Sequence, residues 1–477
     1  MIPTLVRDRI IPALSGAPVL LWVVLIAVAL VLTYGASFLA YDPMYALIWG
    51  DQLRQLELPG FELRFAPTPH PLANAVSAVV TVLGERAPAA MVGLVMLSFG
   101  LLGWACYSLG RALFSWPVGV LFAWLVLTRE FLARQGLQST VDVPFLALVV
   151  TAGVLEARSP RRGTPVLVLL SLAGLLRPEA WLLAGAYWVY LARGMANSER
   201  VRMAAITVSA PVLWAFFDLA ATGDPFYSLH GTQDLAAALG RPRGLSNATS
   251  KLPLSMELIL GQEVVTIGLV GAVLALGFHF KRSLLPAAAA ALGLVTFAVL
   301  ATQGLPVLTR YLILPAVALA LAASVAAFGW ASLPARSWLR LPWIAGSAVC
   351  VLILVPASIS SIEYTRALPF EVRAKAERDL AALANDPAVK AAYSSCDRLS
   401  YAPDAAVIVP LAYASGLSPE RFRSRDGDPE SGTVVVARTS SVNAQYIRAG
   451  EPIPTLSPPP GFPLVKANES WALYARC

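Results

Sequence analysis

The chain has 477 residues, 57% of them hydrophobic and 14% charged, with a mean hydropathy of +0.65. Soluble domains carry about a quarter charged residues, so this balance excludes an ordinary soluble enzyme and fits a chain that spends most of its length in lipid. The net charge of +7 does not mark a nucleic-acid binder: from Ser360 onward there are 13 basic and 13 acidic residues, and the whole excess lies among the apolar segments.

That excess falls in short clusters: Arg7 and Arg9, Arg111, Arg158 with Arg161 and Arg162, Arg193 with Arg200 and Arg202, Lys281 with Arg282, and Arg336 with Arg340. Basic residues beside spans mark the cytoplasmic side. Placing all of these clusters inside gives about eleven passes, with the N-terminus in and the C-terminus out. The expected fold class is mostly α, a polytopic transmembrane helical bundle with a small extracytoplasmic α/β domain at its C-terminal end.

The first span, 18–40, is longer than the roughly 7 to 15 apolar residues of a signal peptide and reads as a retained anchor. An outer segment over 41–87 follows, with a polar stretch and then the apolar piece 71–84, which is too short to span and is expected to lie as an interfacial helix. Segment 88–113 returns inward and 116–127 goes out. The turn TREFLARQGLQSTVD lies outside, and 143–155 comes back. Segment 164–192 reads as a hairpin whose tip is the trio RPE. Both arms are short, so the tip must either sit within the membrane depth or line a wet cavity, because an ionised side chain exposed to hydrocarbon costs about 2.5 to 3.5 kcal/mol. Segment 203–221 leads into a second outer loop, 222–261. Spans 264–280 and 284–302 flank Lys281 and Arg282, QGLPVLTRY turns outside, and 312–330 and 342–359 complete the membrane part.

The chain thereby divides into a membrane module, 1–359, and a soluble domain, 360–477. In the latter EVRAKAERDLAALANDPAVKAA reads as an amphipathic helix, while DAAVIVPL, GTVVVAR and WALYARC read as strands. The tract SPPPGFP reads as a stiff extended link. Cys106 and Cys350 fall in spans, whereas Cys396 and Cys477 share the tail. In an oxidising compartment that pair is expected to form a disulfide, the alternative being two unrelated thiols.

Asp42 stands at the exit of the first span and Asp51 nine residues on. Alone, an Asp before Pro is an ordinary helix-capping arrangement. His70, Arg134, Asp142, Arg177, Glu179, His230, Arg310 and Tyr311 also map to outer turns or just below them. Ionisable groups converging from separate turns on one membrane face describe a polar cavity. For any one of them, a structural ion pair between helices is an equal reading.

This order of features resembles the GT-C superfamily of lipid-dependent glycosyltransferases, in the branch of protein mannosyltransferases and lipid A aminoarabinose transferases. The resemblance lies in Asp42 after the first span, the Pro-rich turn PTPHPL, the RPE hairpin, the RYLILP turn and the outer tail. It implies transfer of a sugar from a polyprenyl-phosphate donor to a glycan, lipid or protein acceptor on the extracytoplasmic face. Asp42 would be the general base that takes the acceptor's proton. Arg310, Arg177 and Arg134 would hold the departing phosphate, whose oxygens match the guanidinium fork. His70, Asp51, His230, Asp142, Glu179 and Tyr311 would complete the substrate site. Where the family carries a tandem acidic pair, this chain has one Asp followed by Pro, which favours a glycan or lipid acceptor over a peptide.

No obligatory cofactor or metal is expected, since the spacing of Asp42 and Asp51 does not put them on one helical face. HExxH, CxxC, GxxxxGK[ST] and GxSxG motifs are absent, so metalloprotease, redox, nucleotide and serine-hydrolase chemistry lack support. Two other functions fit the composition: a transporter or flippase for a lipid-linked sugar, and a non-catalytic scaffold whose outer domain binds envelope components. The first needs access from both sides, yet the charges gather at the outer end. No nucleic-acid partner is expected.

Overall fold

Long apolar runs in this chain fold into helices because lipid offers backbone groups no hydrogen-bond partner, and a helix satisfies them within one segment. The computed structural model describes residues 18–63, 66–334, 336–396, 399–425, 427–446 and 456–477; Arg7 and Arg9 lie outside them. The helices run α1 (Val19–Tyr34), α2 (Tyr41–Arg54), α3 (Pro71–Val80), α4 (Ala87–Leu113), α5 (Trp116–Thr128), α6 (Glu130–Leu137), α7 (Asp142–Arg158) and α8 (Thr164–Gly174). They continue with α9 (Glu179–Ala192), α10 (Asn197–Thr222), α11 (Tyr227–Ala238), α12 (Leu245–Leu260), α13 (Gln262–Phe278), α14 (Phe280–Thr302), α15 (Ile313–Phe328) and α16 (Arg340–Ala367).

Among the described residues, five helical stretches are long and apolar enough to cross a membrane, and seven if each sharply bent pair, α5 with α6 and α12 with α13, counts as one crossing. Helices α1 and α8 are apolar but shorter. The chain is a membrane protein built mostly of helix.

The segment expected as an outer loop over 41–87 opens with a packed helix. In α2, Pro43 through Gly50 are all buried. Tyr41, Tyr45 and Trp49, one turn apart on one face, meet ring to ring at 5.1 Å each, and Trp49 meets Phe61 at 4.9 Å. The expected interfacial helix is α3, but it runs through a 3-10 turn (Thr81–Arg86), kinked at Gly84 (φ 58°), directly into α4. Segment 71–113 is therefore one broken run. At Gly50 an added Cβ would lie 2.5 Å from the Ser77 Cβ and 2.6 Å from the Ala78 nitrogen, so glycine is what lets α2 and α3 touch backbone to backbone.

The C-terminal part contains α17 (Phe370–Ala384), α18 (Pro387–Ser395), β1 (Ser400–Ala402), α19 (Ala405–Ser415), β2 (Phe422–Ser424), β3 (Gly432–Ala437), α20 (Ser440–Ala444), β4 (Leu464–Ala467) and β5 (Trp471–Arg476). The sheet order is β2-β1-β3-β5-β4; β1 runs parallel to both neighbours, and β5 antiparallel to β3 and β4. GTVVVAR and WALYARC form strands as expected, whereas DAAVIVPL forms α19. Asp404 caps that helix through the Ala406 N–H at 2.7 Å, and its apolar residues Val407, Val409, Leu411 and Ala412 are buried in a core shared by α2 and the sheet. A short apolar run reads equally as strand or helix; here the cap and the three-dimensional context decide. The amphipathic helix expected over 371–392 is broken into α17 and α18 at Asp386, which caps α18 just before Pro387. Cys396 and Cys477 are joined by a disulfide that closes 81 residues of chain.

Candidate active site

Asp42 occupies the first turn of α2, where a carboxylate complements the positive end of the helix. Arg310 lies in the 3-10 turn Thr309–Leu312 that opens α15. Although 268 residues separate them, Arg310 Nη1 donates to Asp42 Oδ2 at 3.3 Å. Their side chains are 31% and 32% exposed, so the pair is accessible to a ligand.

Two cavities meet at Asp42. The larger, about 470 Å³, is the more polar of the two and is lined by Asp42, Thr68, Gln135, Gln138, Arg241 and Arg310, among others. The smaller, about 250 Å³, is mostly aliphatic; it shares Asp42, Thr68 and Thr140 with the first and is bordered by His70 and Asn74. Burial, reinforced by the Arg310 charge and opposed by Asp42, pushes the His70 imidazole down to about 3, so it is neutral near pH 7. Its ring stands edge-on to Trp214 at 5.9 Å.

Arg177, an expected phosphate ligand, lies behind Tyr311 and is engaged by carboxylates. It is 3% exposed, pairs with Asp142, and meets Glu179 Oε1 at 2.5 Å from Nη2 and 3.0 Å from Nε. The Tyr311 and Phe145 rings lie 5.4 Å and 5.5 Å from its guanidinium carbon. Two carboxylates and two rings enclose this cation, leaving it a structural centre rather than an open anion site. Through Tyr311, which lines the polar chamber, it supports the turn that carries Arg310.

Three further candidates are not brought to the Asp42–Arg310 pair. Arg134 pairs with Glu130 on its own helix at 3.2 Å. Asp51 pairs with Arg54 at 2.7 Å; nine residues on, it is roughly 13 Å along the axis of α2 from Asp42. His230 contacts Asp224 at 2.6 Å on the surface, and the Phe226 N–H, then His230, holds that carboxyl below its usual range.

Arg241 escaped the sequence reading. Loop 239–244 is pinned to the turn before Arg310 by a bridge between Arg243 and Pro306, with the Val307 N–H donating to the Pro242 carbonyl at 2.8 Å. The signal available was the sequence GRPRG in an outer loop, but only the bridge makes Arg241 a chamber residue. Among the described residues, no group of three or more His, Cys, Asp or Glu side chains is assembled that could hold a metal ion.

No family model and no curated relative matches the chain. Solved structures do. ArnT from Cupriavidus metallidurans bound to undecaprenyl phosphate is 14% identical, with 96% of this chain and 97% of that one covered and a TM-score of 0.54. The same protein in its apo state, at the same identity and coverage, has a TM-score of 0.55. The chain has the GT-C fold. The Archaeoglobus fulgidus oligosaccharyltransferase, in complex with zinc and sulfate, shares this GT-C architecture at 13% identity, with 84% of this chain and 62% of that one covered and a TM-score of 0.52. At such identities the match speaks for the GT-C fold, and residue roles rest on the geometry of this chain.

Proposed function

We propose that this chain is a membrane glycosyltransferase that moves a sugar from a polyprenyl-phosphate donor to an acceptor on the extracytoplasmic face. The observation that carries the reading is the Asp42–Arg310 pair at the junction of two chambers. Arg310, with Arg241 on the same chamber, binds the donor phosphate; a phosphate oxygen takes over the guanidinium that pairs with Asp42. Asp42, released, accepts the proton of the acceptor hydroxyl as its oxygen bonds to the anomeric carbon. The bond from that carbon to the phosphate oxygen breaks, and polyprenyl phosphate leaves as an anion stabilised by Arg310.

The ArnT structure holds undecaprenyl phosphate, and an undecaprenyl chain is the donor lipid we assign here. An apolar groove of about 430 Å³, lined from α12 to α15 by residues such as Leu252, Met256 and Leu269, offers the tail a path. Its α12 wall meets the arginine turn where Ser255 Oγ lies 3.3 Å from Thr309 Oγ1.

Eleven passes, by α1, α4, α5, α7 to α10 and α13 to α16, with the N-terminus inside, put both chambers and the C-terminal domain outside the cytoplasm. The division into a membrane module, 1–359, and an outer domain, 360–477, belongs to the same proposal, although α16 runs on to Ala367.

Asp42→Asn tests the reading. The variant is expected to insert and fold as wild type while transfer from undecaprenyl-phosphate-linked sugar falls by at least about a hundredfold, the usual share of a general base. Transfer at the wild-type rate would remove Asp42 as the base. Movement of labelled donor across sealed vesicles without sugar transfer would turn the reading to a transporter.

A further inference from the structure

The chamber that holds the Asp42–Arg310 pair carries a set of neutral polar groups that the transfer step leaves unexplained. Gln135 on α6 and Gln138, the residue that follows this helix, both line it; three positions apart, they share one face. Gln135 Oε1 lies 3.0 Å from the Thr140 hydroxyl, which also reaches Asp142 Oδ2 at 3.2 Å. Asp142 in turn pairs with Arg177, so the buried ion cluster fixes the Gln135 carbonyl and leaves its amide N–H groups without a partner among the described residues. The Gln138 side chain makes no hydrogen bond among them. On the same chamber Thr232 Oγ1 donates its one proton to the Ser228 carbonyl at 2.6 Å, so Thr68 is the donor in the 2.6 Å contact between the two hydroxyls, and the Thr68 oxygen keeps a lone pair for a further donor.

Charge narrows what these groups can meet. Among the described residues that line the chamber, Asp42 is the only carboxylate, and Arg310 and Arg241 are the only cations. Asp42 and a singly charged phosphodiester together balance the two guanidinium groups. A sugar ammonium would find no carboxylate to spare: Asp42 is committed to the acceptor's proton, and Asp142 and Glu179 are 1% and 5% exposed behind Tyr311, where Arg177 engages both. A sugar carboxylate would add an anion beside Asp42 without a further cation. Either one leaves a charge uncompensated in a site partly shielded from water. A neutral hydroxyl both donates and accepts, and so does a carboxamide. We propose that Gln135, Gln138 and Thr68 read the hydroxyl groups of the donor sugar, and that this sugar is uncharged, neither an amino sugar nor a uronic acid. The proposal rests on the glycosyltransferase reading above and deepens it by naming the class of sugar transferred.

The test is equilibrium binding to the full-length protein in phosphatidylcholine nanodiscs. The probes are undecaprenyl phosphate alone and undecaprenyl phosphate carrying glucose, galactose or mannose as either anomer, each sugar also with its C6 hydroxyl replaced by an amine or oxidised to a carboxylate. At least one neutral sugar is expected to bind about tenfold more tightly than both of its charged counterparts. Gln138→Leu should weaken that donor about tenfold and leave undecaprenyl phosphate itself unchanged, which shows that the variant is folded. Gln138→Glu supplies a carboxylate and should move the preference about tenfold toward the amino sugar, a shift that a merely structural glutamine would not give. An amino or acidic sugar bound as tightly as its neutral counterpart would overturn the proposal, as would a neutral donor whose affinity neither variant changes. If no sugar adds to the affinity of undecaprenyl phosphate, the sugar site falls while the phosphate site stands. Failure of the wild type to bind undecaprenyl phosphate at all would remove the donor reading, and the sugar class with it.

Discussion

Arg177 and Arg310 both stand in short polar turns beside apolar helices, and their surroundings give them opposite character. Arg177 is buried against two carboxylates, whereas Arg310 has one carboxylate and an open cavity. Arg177→Met would leave Asp142 and Glu179 buried without their counter-charge. A loss of roughly 3 to 5 kcal/mol is expected, read as a lower unfolding temperature in detergent, while Arg310→Gln should unfold close to wild type. His70 supplies a pH signature. The unfolded chain takes up a proton near 6.5, whereas the folded imidazole resists until about 3. Falling pH therefore favours the unfolded state across that window, and stability rises again with pH up to about 6.5. His70→Gln should flatten the acid-side decline in unfolding temperature; an unchanged profile would mean that His70 is not the group responsible.

At the scale of elements, α2 positions the carboxylate of Asp42. It packs against α3 on one side and, through α19, against the C-terminal domain on another. Gly50 is the contact that cannot be enlarged: a methyl group there meets Ser77 and the Ala78 backbone at about 2.5 Å. Gly50→Ala should cost about 1 to 3 kcal/mol through overpacking, and it should also lower turnover because the displaced helix carries Asp42 at its start. The paired measurement of unfolding temperature and kcat checks this; a stability loss with full turnover would show that α2 tolerates the shift. The sequence reading missed the burial of α2 because YDPMYALIWGDQLR mixes charged and apolar residues. Its aromatic stack at every fourth position was the signal that a packed helix, not a loop, follows α1.

At the scale of the whole molecule, the sheet domain and the site are mechanically joined. Trp471 and Leu473 of β5 share a core with Leu47 and Trp49 of α2. The disulfide to Cys477 fastens the strand's end to the residue that follows α18. Replacing both Cys396 and Cys477 by Ser should lower stability by about 2 to 5 kcal/mol. Reductant should bring the wild type down to the level of the double variant and leave that variant unmoved; equal melting of all forms would make the bond dispensable.

Hydropathy by itself determined that this is a many-helix membrane chain with a small α/β tail, because burial in lipid is written residue by residue in apolar runs. Asp42 and Arg310 were legible as candidates, since each adjoins an apolar segment at a polar turn. Only the tertiary structure decided that these two meet across 268 residues, that Arg177 is enclosed by carboxylates, that Arg241 joins the chamber and that the Asn74 side chain has no hydrogen-bond partner among the described residues. Side-chain contact depends on how helices pack, and packing is a property of distant pairs that no local pattern records.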